Sequence, residues 1–132
     1  RKIQGIVLLF DCHSIRSRLP FLFEGQLPEF NLGTNHSTTC APEIEQTAVE
    51  VCSSATGYDS VLNKRFKGGW TTRYYGDPAN GIHAIQLEIS QRTYMNEFHP
   101  WIYNGEKAKN LRIHLKKLLV SLEQMVLKET IA

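Results

Sequence analysis

The stretch "VLLFDCHSI", Val7 to Ile15, gives the first indication of the fold and of reactive side chains. The apolar residues from Ile6 to Phe10 are continuous rather than alternating, which is typical of a buried strand, and we predict a strand over Gly5–Phe10. Four polar or reactive residues follow directly: Asp11, Cys12, His13 and Ser14. The strand therefore either reaches solvent there or carries a catalytic group to the edge of a sheet.

Strands and helices alternate along the rest of the chain. Further strands are predicted at Phe30–Leu32, Asp59–Asn63 and Gly81–Ser90. One helix is predicted to begin at Ala41-Pro42-Glu43 and to end near Gly57, and a long helix with a leucine stripe is predicted from Glu106 to Glu129. The segment from Phe66 to Gly76 is rich in glycine and aromatic residues and too irregular for a helix. The alternation predicts a three-layer α/β architecture, in which ligands bind at the carboxyl ends of the strands.

The bulk composition is that of an ordinary globular protein. The chain has 132 residues, 42% of them hydrophobic and 21% charged, and we predict that residues 1–132 form one domain or a large part of one. A formal net charge of +2 is too small to favour a nucleic-acid partner. No apolar run approaches the roughly 20 residues that cross a bilayer, so no membrane partner is expected. Three cysteines without paired spacing, and no signal peptide, favour a cytoplasmic protein.

His13 is a candidate metal ligand because it lies at the carboxyl end of the first predicted strand. Such a histidine is either hydrogen-bonded to a neighbour or bound to a metal, with Asp11 and Ser14 placed to orient its ring or line the site. A catalytic zinc ion usually needs three protein ligands. The chain contains no HExxH motif that would supply the others.

Glu88 is the second candidate, because it lies near the end of the other strongly apolar strand. A carboxylate there is costly to bury unless it is paired. Glu88 is therefore either the partner of an arginine, such as Arg73 or Arg92, or a general base whose pKa is shifted by burial or by a metal.

The segment "KRFKGGWTTRYYG", Lys64 to Gly76, has the features of an anion-binding loop. Gly68-Gly69 permits close approach to the backbone, and the planar guanidinium of Arg73 suits a carboxylate. An RNA-binding patch is conceivable, but the glycine pair favours a small anionic ligand.

Cys40 offers an alternative chemistry as the nucleophile of a cysteine hydrolase, with His36 or His13 as its base. Its surroundings, "TTCAP", show no recognisable nucleophile setting, so a packed thiol is the other interpretation.

Three motifs occur in one order: "DCHS", "KGGWTTRYYG" and "GIHAIQLE". In these motifs, and over nearly its whole length, the chain resembles the C-terminal half of the N-formylglutamate amidohydrolase (N-formylglutamate deformylase) family. The resemblance implies a three-layer α/β/α mixed sheet similar to that of zinc carboxypeptidases and aspartoacylases. It also implies hydrolysis of N-formyl-L-glutamate to formate and glutamate, a step of histidine degradation.

The resemblance assigns roles to five residues. His13 of "DCHS" matches a metal ligand, and Glu88 of "QLEIS" matches the carboxylate that activates the attacking water. Arg73 of "TTRYYG" is similar in place to a residue that holds a substrate carboxylate. Asn63 and Arg65 of "LNKRFKGG" are weaker candidates for the same pocket.

The resemblance further implies a zinc ion or another divalent metal, whose remaining ligands are a histidine and an acidic residue upstream of this chain. The partner is then a small-molecule substrate, an N-acyl acidic amino acid. Because the family's N-terminal half is missing from this chain, the fold is expected to be incomplete, and strand edges that would pair with that half are expected to be exposed and to favour oligomers or strand exchange. The alternative is a non-catalytic module that keeps the anion pocket around Arg73 and lacks the metal site.

Overall fold

Four strands and three helices build a mixed α/β fold in the computed structural model, which describes residues 5–131, with side chains as far as residue 128. In chain order the elements are β1 (Val7–Ile15), β2 (Phe30–Gly33), α1 (Pro42–Ser53), β3 (Ser60–Leu62), α2 (Trp70–Tyr75), β4 (Ile82–Ser90) and α3 (Gly105–Ile131). The predicted domain spans residues 1–132, and residues 1–4 and 132 lie outside the described part.

The sheet has the strand order β1-β4-β2-β3. Strand β4 runs parallel to β1 and antiparallel to β2, and β3 runs parallel to β2. The predicted mixed α/β sheet is therefore confirmed. In this register Glu88 of β4 has His13 on one side and Asn31 on the other. Directly paired residues of adjacent strands project to the same face, so these three side chains share one face of the sheet.

The other face packs against α1 and α3 and forms the hydrophobic core. Ile85 and Leu87 of β4 are fully buried there with Leu118 of α3. Burial of each such side chain contributes roughly 1.5–3 kcal/mol. Because side chains alternate along a strand, the pattern that buries Ile85 and Leu87 in this core directs Gln86 and Glu88 to the opposite face.

Helix α2 and two loops cover part of that polar face. The N–H of Gly69, just before α2, donates a hydrogen bond to the side chain of Gln86. The hydroxyl of Ser90 donates to the carbonyls of Leu27 and Pro28. Helices therefore lie on both faces of the sheet, two on the core face and one short helix on the polar face.

The loop that precedes α2 is pressed against the end of β2. A Cβ atom at Gly33 would lie 2.4 Å from the Gly68 nitrogen, so the position requires glycine. The carbonyl of Lys67 accepts a hydrogen bond from the N–H of Asn35 at 2.6 Å. Gly68 has a φ of +109°, a conformation that side chains disfavour. These contacts fix the glycine pair of "KGGW" beside the polar face.

The structure corrects the extent of the first strand. β1 does not end at Phe10 but continues to Ile15, because its pairing with β4 extends to Ser90. Asp11 and His13 therefore lie within a strand and not beyond its end. The strand is partly exposed rather than buried on both faces, since it forms an edge of the described sheet.

Two helix predictions are also corrected. The segment from Phe66 to Gly76 contains α2, whose six residues are too few for apolar periodicity to show in the sequence. Helix α1 ends at Ser53, and Gly57 lies in the turn that follows it, with a φ of +83°.

Candidate active site

Two neighbouring strands bring an imidazole and a carboxylate together. Glu88 is 6% exposed on β4, and its register partner His13 lies on β1 with a half-exposed side chain. Asp11, two residues earlier on the same face of β1, has its Oδ1 atom 2.6 Å from Nε2 of His13. The Asp11 carboxylate therefore engages one ring nitrogen and leaves Nδ1 as the atom that can bind a metal.

Ser14 does not share this arrangement. It alternates to the other face of β1, and its hydroxyl oxygen lies 2.7 Å from that of Tyr94. Of the two residues predicted to orient the His13 ring, the structure brings only Asp11 to it.

The surroundings of Glu88 favour its protonated form. Burial raises the pKa of this carboxyl; the nearby His13 lowers it, and the negative charge of Asp11 raises it further. The net effect is that the pKa of Glu88 is raised above its ordinary value. A raised pKa brings the carboxyl group closer to neutral pH. A group whose pKa lies near the working pH both accepts and returns a proton efficiently.

Neither candidate arginine pairs with Glu88. Nη2 of Arg92 lies 2.6 Å from Oε1 of Glu29. Nη1 of Arg73 donates instead to the carbonyl of Gly68 at 2.7 Å. The prediction that Glu88 is the ion-pair partner of Arg73 or Arg92 is therefore wrong, because each guanidinium is directed to another acceptor.

A row of contacts nevertheless connects Arg73 to Glu88 through one peptide group. The carbonyl of Gly68 accepts from Arg73, and the N–H of the same peptide, on Gly69, donates to Oε1 of Gln86 at 2.5 Å. Nε2 of Gln86 in turn lies 3.5 Å from Oε2 of Glu88. We call this set the Arg73–Glu88 row. It joins α2 to β4 on the polar face of the sheet.

A pocket of about 340 Å³ opens at the α2 end of the row. It is lined by Arg65, Phe66, Lys67, Gly68, Gly69, Arg73 and Gln86. Three of these seven residues are cationic and two are glycines, so charged donors and backbone atoms face the same space. The volume lies within the roughly 300–1,000 Å³ of small-ligand pockets. This lining suits a small anion, and above all a carboxylate, which a guanidinium can bind through two parallel N–H groups.

The two weaker substrate candidates differ in their placement. Arg65 lines the pocket, and its Nε donates to the carbonyl of Leu22 at 3.0 Å. Asn63 is engaged elsewhere: its Oδ1 accepts from the N–H of Thr34 and its Nδ2 donates to the Thr34 hydroxyl, both at 2.9 Å. These bonds hold the chain after β3 against the end of β2. A contact between Asn63 and a substrate stays a prediction.

Gln86 is the site residue that the sequence-based prediction missed. It lies on the face of β4 that also carries Glu88, and it is 5% exposed. The signal for it was present, because two polar residues spaced by two in an otherwise apolar strand share one face. What the spacing does not show is that the Gly69 amide approaches from another part of the chain.

Cys40 is a packed thiol and not a nucleophile. It is 3% exposed within the hydrophobic core. Burial, with a further contribution from the charge of Glu45, raises its pKa to about 12. Because the thiolate is the nucleophilic form, the hypothesis of a cysteine hydrolase using Cys40 is wrong.

Alkylation near neutral pH should therefore distinguish the three cysteines. We expect iodoacetamide to modify the exposed Cys12 and to spare Cys40 and Cys52. Modification of Cys12 should be slow, because partial desolvation of the thiol by its neighbours, followed by the charges of Glu88 and Asp11, raises its pKa. Burial raises the pKa of Cys52 to about 12 as well. Peptide mass spectrometry of folded and denatured protein measures this. Rapid labelling of Cys40 in the folded protein would show that its packing is not as described.

The described residues show neither a complete metal site nor a membrane-spanning helix. Within residues 5–131, no group of three or more histidine, cysteine, aspartate and glutamate residues is arranged to hold a metal ion. None of the helices in that range is both long enough and apolar enough to cross a bilayer.

Comparisons with known proteins agree with the motifs and the fold. Residues 1–95 match the family model of N-formylglutamate amidohydrolase. Over 118 residues the chain is 52% identical to an N-formylglutamate deformylase of Pseudomonas putida and 50% identical to one of Pseudomonas aeruginosa, and each match covers 89% of this chain and 44% of the relative. The crystal structure of N-formylglutamate amidohydrolase from Ralstonia eutropha JMP134 matches with a TM-score of 0.72 and 25% identity, over 92% of this chain and 44% of that chain.

The chain belongs to the N-formylglutamate amidohydrolase family, as the motifs predict. It spans less than half the length of the relatives that it matches.

Proposed function

We propose that this chain contributes to the active site of a metal-dependent N-formylglutamate deformylase, which hydrolyses N-formyl-L-glutamate to formate and glutamate. The Arg73–Glu88 row is the observation that carries the proposal. It joins a cationic pocket, suited to a carboxylate, to a buried carboxyl group on the same face of the sheet. The two Pseudomonas relatives, which are named as deformylases, support the choice of substrate.

In the proposed reaction Arg73 binds a carboxylate of the substrate. Its Nη1 is fixed to the Gly68 carbonyl, which anchors the guanidinium and leaves its other N–H groups for the pocket. Arg65 and Lys67 add positive charge to the same lining. Anchoring one end of the substrate there orients the formyl amide toward Glu88, so that binding energy is used for positioning.

Glu88 acts first as a general base and then as a general acid. Its carboxylate takes a proton from a water molecule while the water oxygen bonds to the formyl carbon and the carbonyl π electrons move to the carbonyl oxygen. It then gives the proton to the amide nitrogen as the carbonyl re-forms and the C–N bond breaks. The remaining hydroxyl proton of formic acid passes to the released amine, formate and glutamate leave, and the Glu88 carboxylate is regenerated. The raised pKa of Glu88, caused chiefly by burial, supports both transfers.

The residues around His13 fit part of a metal site. Carboxylates commonly engage the second nitrogen of metal-bound histidines, as Asp11 does here. A bound zinc ion or other divalent metal would polarise the formyl carbonyl and lower the pKa of the attacking water. The chain spans less than half of the relatives that it matches, and we propose that His13 is this chain's ligand and that the others come from the rest of the family domain.

The proposal is tested with the protein at its full natural length. We expect formate release from N-formyl-L-glutamate, and a kcat/KM at least about tenfold lower for an analogue in which the carboxylate that Arg73 binds is amidated. We also expect bound metal by mass spectrometry, and less of it after His13→Ala. Protein that binds glutamate but neither holds metal nor releases formate would support the non-catalytic binding module instead.

Several further features of the family resemblance remain proposals. They are a role in histidine degradation, a cytoplasmic location and a complete domain similar to zinc carboxypeptidases.

The nine-residue β1 lies at an edge of the described sheet. Because unpaired strand edges invite pairing, we propose that another segment or subunit associates there.

A further inference from the structure

Gln86 belongs both to the anion pocket and to the surroundings of Glu88. It lines the pocket beside Arg73, and its Nε2 lies 3.5 Å from Oε2 of Glu88. It is almost completely buried in β4, so its backbone is fixed by the sheet. No other residue of the pocket lining lies on the same strand as Glu88.

The hydrogen bond from Gly69 fixes which way the Gln86 amide faces. The backbone N–H of Gly69 can only donate, so the Gln86 atom that it contacts must be the carbonyl oxygen, Oε1. The NH₂ group is then directed to the other side, where Oε2 of Glu88 lies. At 3.5 Å this second contact is long, but catalytic hydrogen bonds often shorten when substrate binds.

We propose that Gln86 is a positioning residue that couples carboxylate binding at Arg73 to the placement of Glu88. This inference rests on the proposed function. The position of the 68–69 peptide depends on Arg73 at its carbonyl and on Gln86 at its N–H. Gln86 in turn occupies one carboxylate oxygen of Glu88, which leaves the other oxygen, Oε1, for proton transfer. The Arg73 guanidinium, which binds the substrate, and the Glu88 carboxylate, which transfers the proton, are thereby held in fixed relative positions.

Two substitutions distinguish the hydrogen bond that the Gln86 amide accepts from the one that it donates. Gln86→Met has a similar length but lacks both the acceptor for Gly69 and the donor for Glu88. Gln86→Glu keeps an acceptor for Gly69 and loses the donor. We expect Gln86→Met to lower kcat about tenfold and to raise KM. We expect Gln86→Glu to lower kcat at least as much and to raise KM further, because it adds a negative charge to the pocket that binds the substrate carboxylate. General loss of stability would lower the amount of active enzyme but would not raise KM.

Ser90→Ala is the matched control. Ser90 lies two residues beyond Glu88 on the same face of β4, is fully buried, and donates to the carbonyls of Leu27 and Pro28. We expect this variant to lower the melting temperature without changing kcat or KM.

Hydrogen exchange of the Gly69 amide gives a readout that needs no substrate. We expect faster exchange in Gln86→Met and protection near the wild-type level in Gln86→Glu. An active wild type together with a Gln86→Met variant of unchanged kcat would overturn the inference alone. A folded wild type that does not release formate from N-formyl-L-glutamate would overturn the proposed function, and with it the role of Gln86.

Discussion

Glu88→Gln, in the protein at its full natural length, is expected to lower kcat for N-formyl-L-glutamate by about 10²–10⁴-fold. The glutamine amide has nearly the same size and fits the same buried position, but it cannot take a proton from water. Because Glu88 lies beyond the cationic pocket, KM should change little. Steady-state formate release and metal analysis of the purified variant measure the effect, and metal content should stay at the wild-type level.

Glu43→Gln is a suitable control for this substitution. Glu43 is an exposed residue in the first turn of α1, away from the polar face of the sheet. Its loss removes a favourable interaction with the helix dipole, about 0.3–1 kcal/mol, and leaves the site intact. Turnover like that of the wild type in Glu88→Gln, or an equal loss in both variants, would rule out Glu88 as the base.

The same variant also tests the ionisation of Glu88 through stability. Its pKa in the folded state is raised above the ordinary value of 4.5. Between that value and the raised one, the folded protein keeps a proton that the unfolded chain releases, so the free energy of unfolding falls as the pH rises through this interval. The melting temperature of Glu88→Gln should therefore exceed that of the wild type increasingly across the interval and then by a constant amount. A difference that does not depend on pH would show that Glu88 is not destabilised by its charge.

The sequence predicts the elements of this fold better than their contacts. The run from Gly81 to Ser90 defines β4 and both of its faces, because side-chain alternation is a local property. Helix α3 is equally clear from its leucine stripe. Nothing local marks the continuation of β1 through Asp11 and His13, since that depends on pairing with β4.

In the candidate site, too, the sequence identifies residues but not the contacts between them. His13, Glu88 and Arg73 can be selected from residue type, strand ends and motif spacing. Their convergence depends on the register that sets His13 beside Glu88, and on the close packing that holds the Gly68 loop against β2. These are contacts between distant parts of the chain, so periodicity does not report them. The spacing of Gln86 and Glu88 indicates that they share one face of β4, but the hydrogen bond from the Gly69 amide to Gln86 is not visible in the sequence for that reason.

Arg73→Ala is expected to lower kcat/KM for N-formyl-L-glutamate by about 10–150-fold, mostly through KM, because a charge-assisted contact with a substrate carboxylate is lost. The hydrogen bond to the Gly68 carbonyl is lost as well, but the overall fold should be kept, since Arg73 is exposed in the last turn of α2, where alanine is a good helix former. Arg112→Ala is the control: Arg112 is exposed on α3 and donates to the Tyr103 hydroxyl. Its removal should leave both kinetic constants unchanged.

Two neutral analogues show which carboxylate Arg73 binds. N-formyl-L-glutamine lacks the side-chain charge, and N-formyl-L-isoglutamine lacks the α-carboxylate charge. The analogue that has already lost the contact with Arg73 should be nearly insensitive to Arg73→Ala, whereas the other should show the full effect, because two changes that remove one interaction are not additive. If Arg73→Ala lowers kcat/KM equally for both analogues and for N-formyl-L-glutamate, Arg73 binds neither carboxylate, and the cationic pocket is not the substrate anchor.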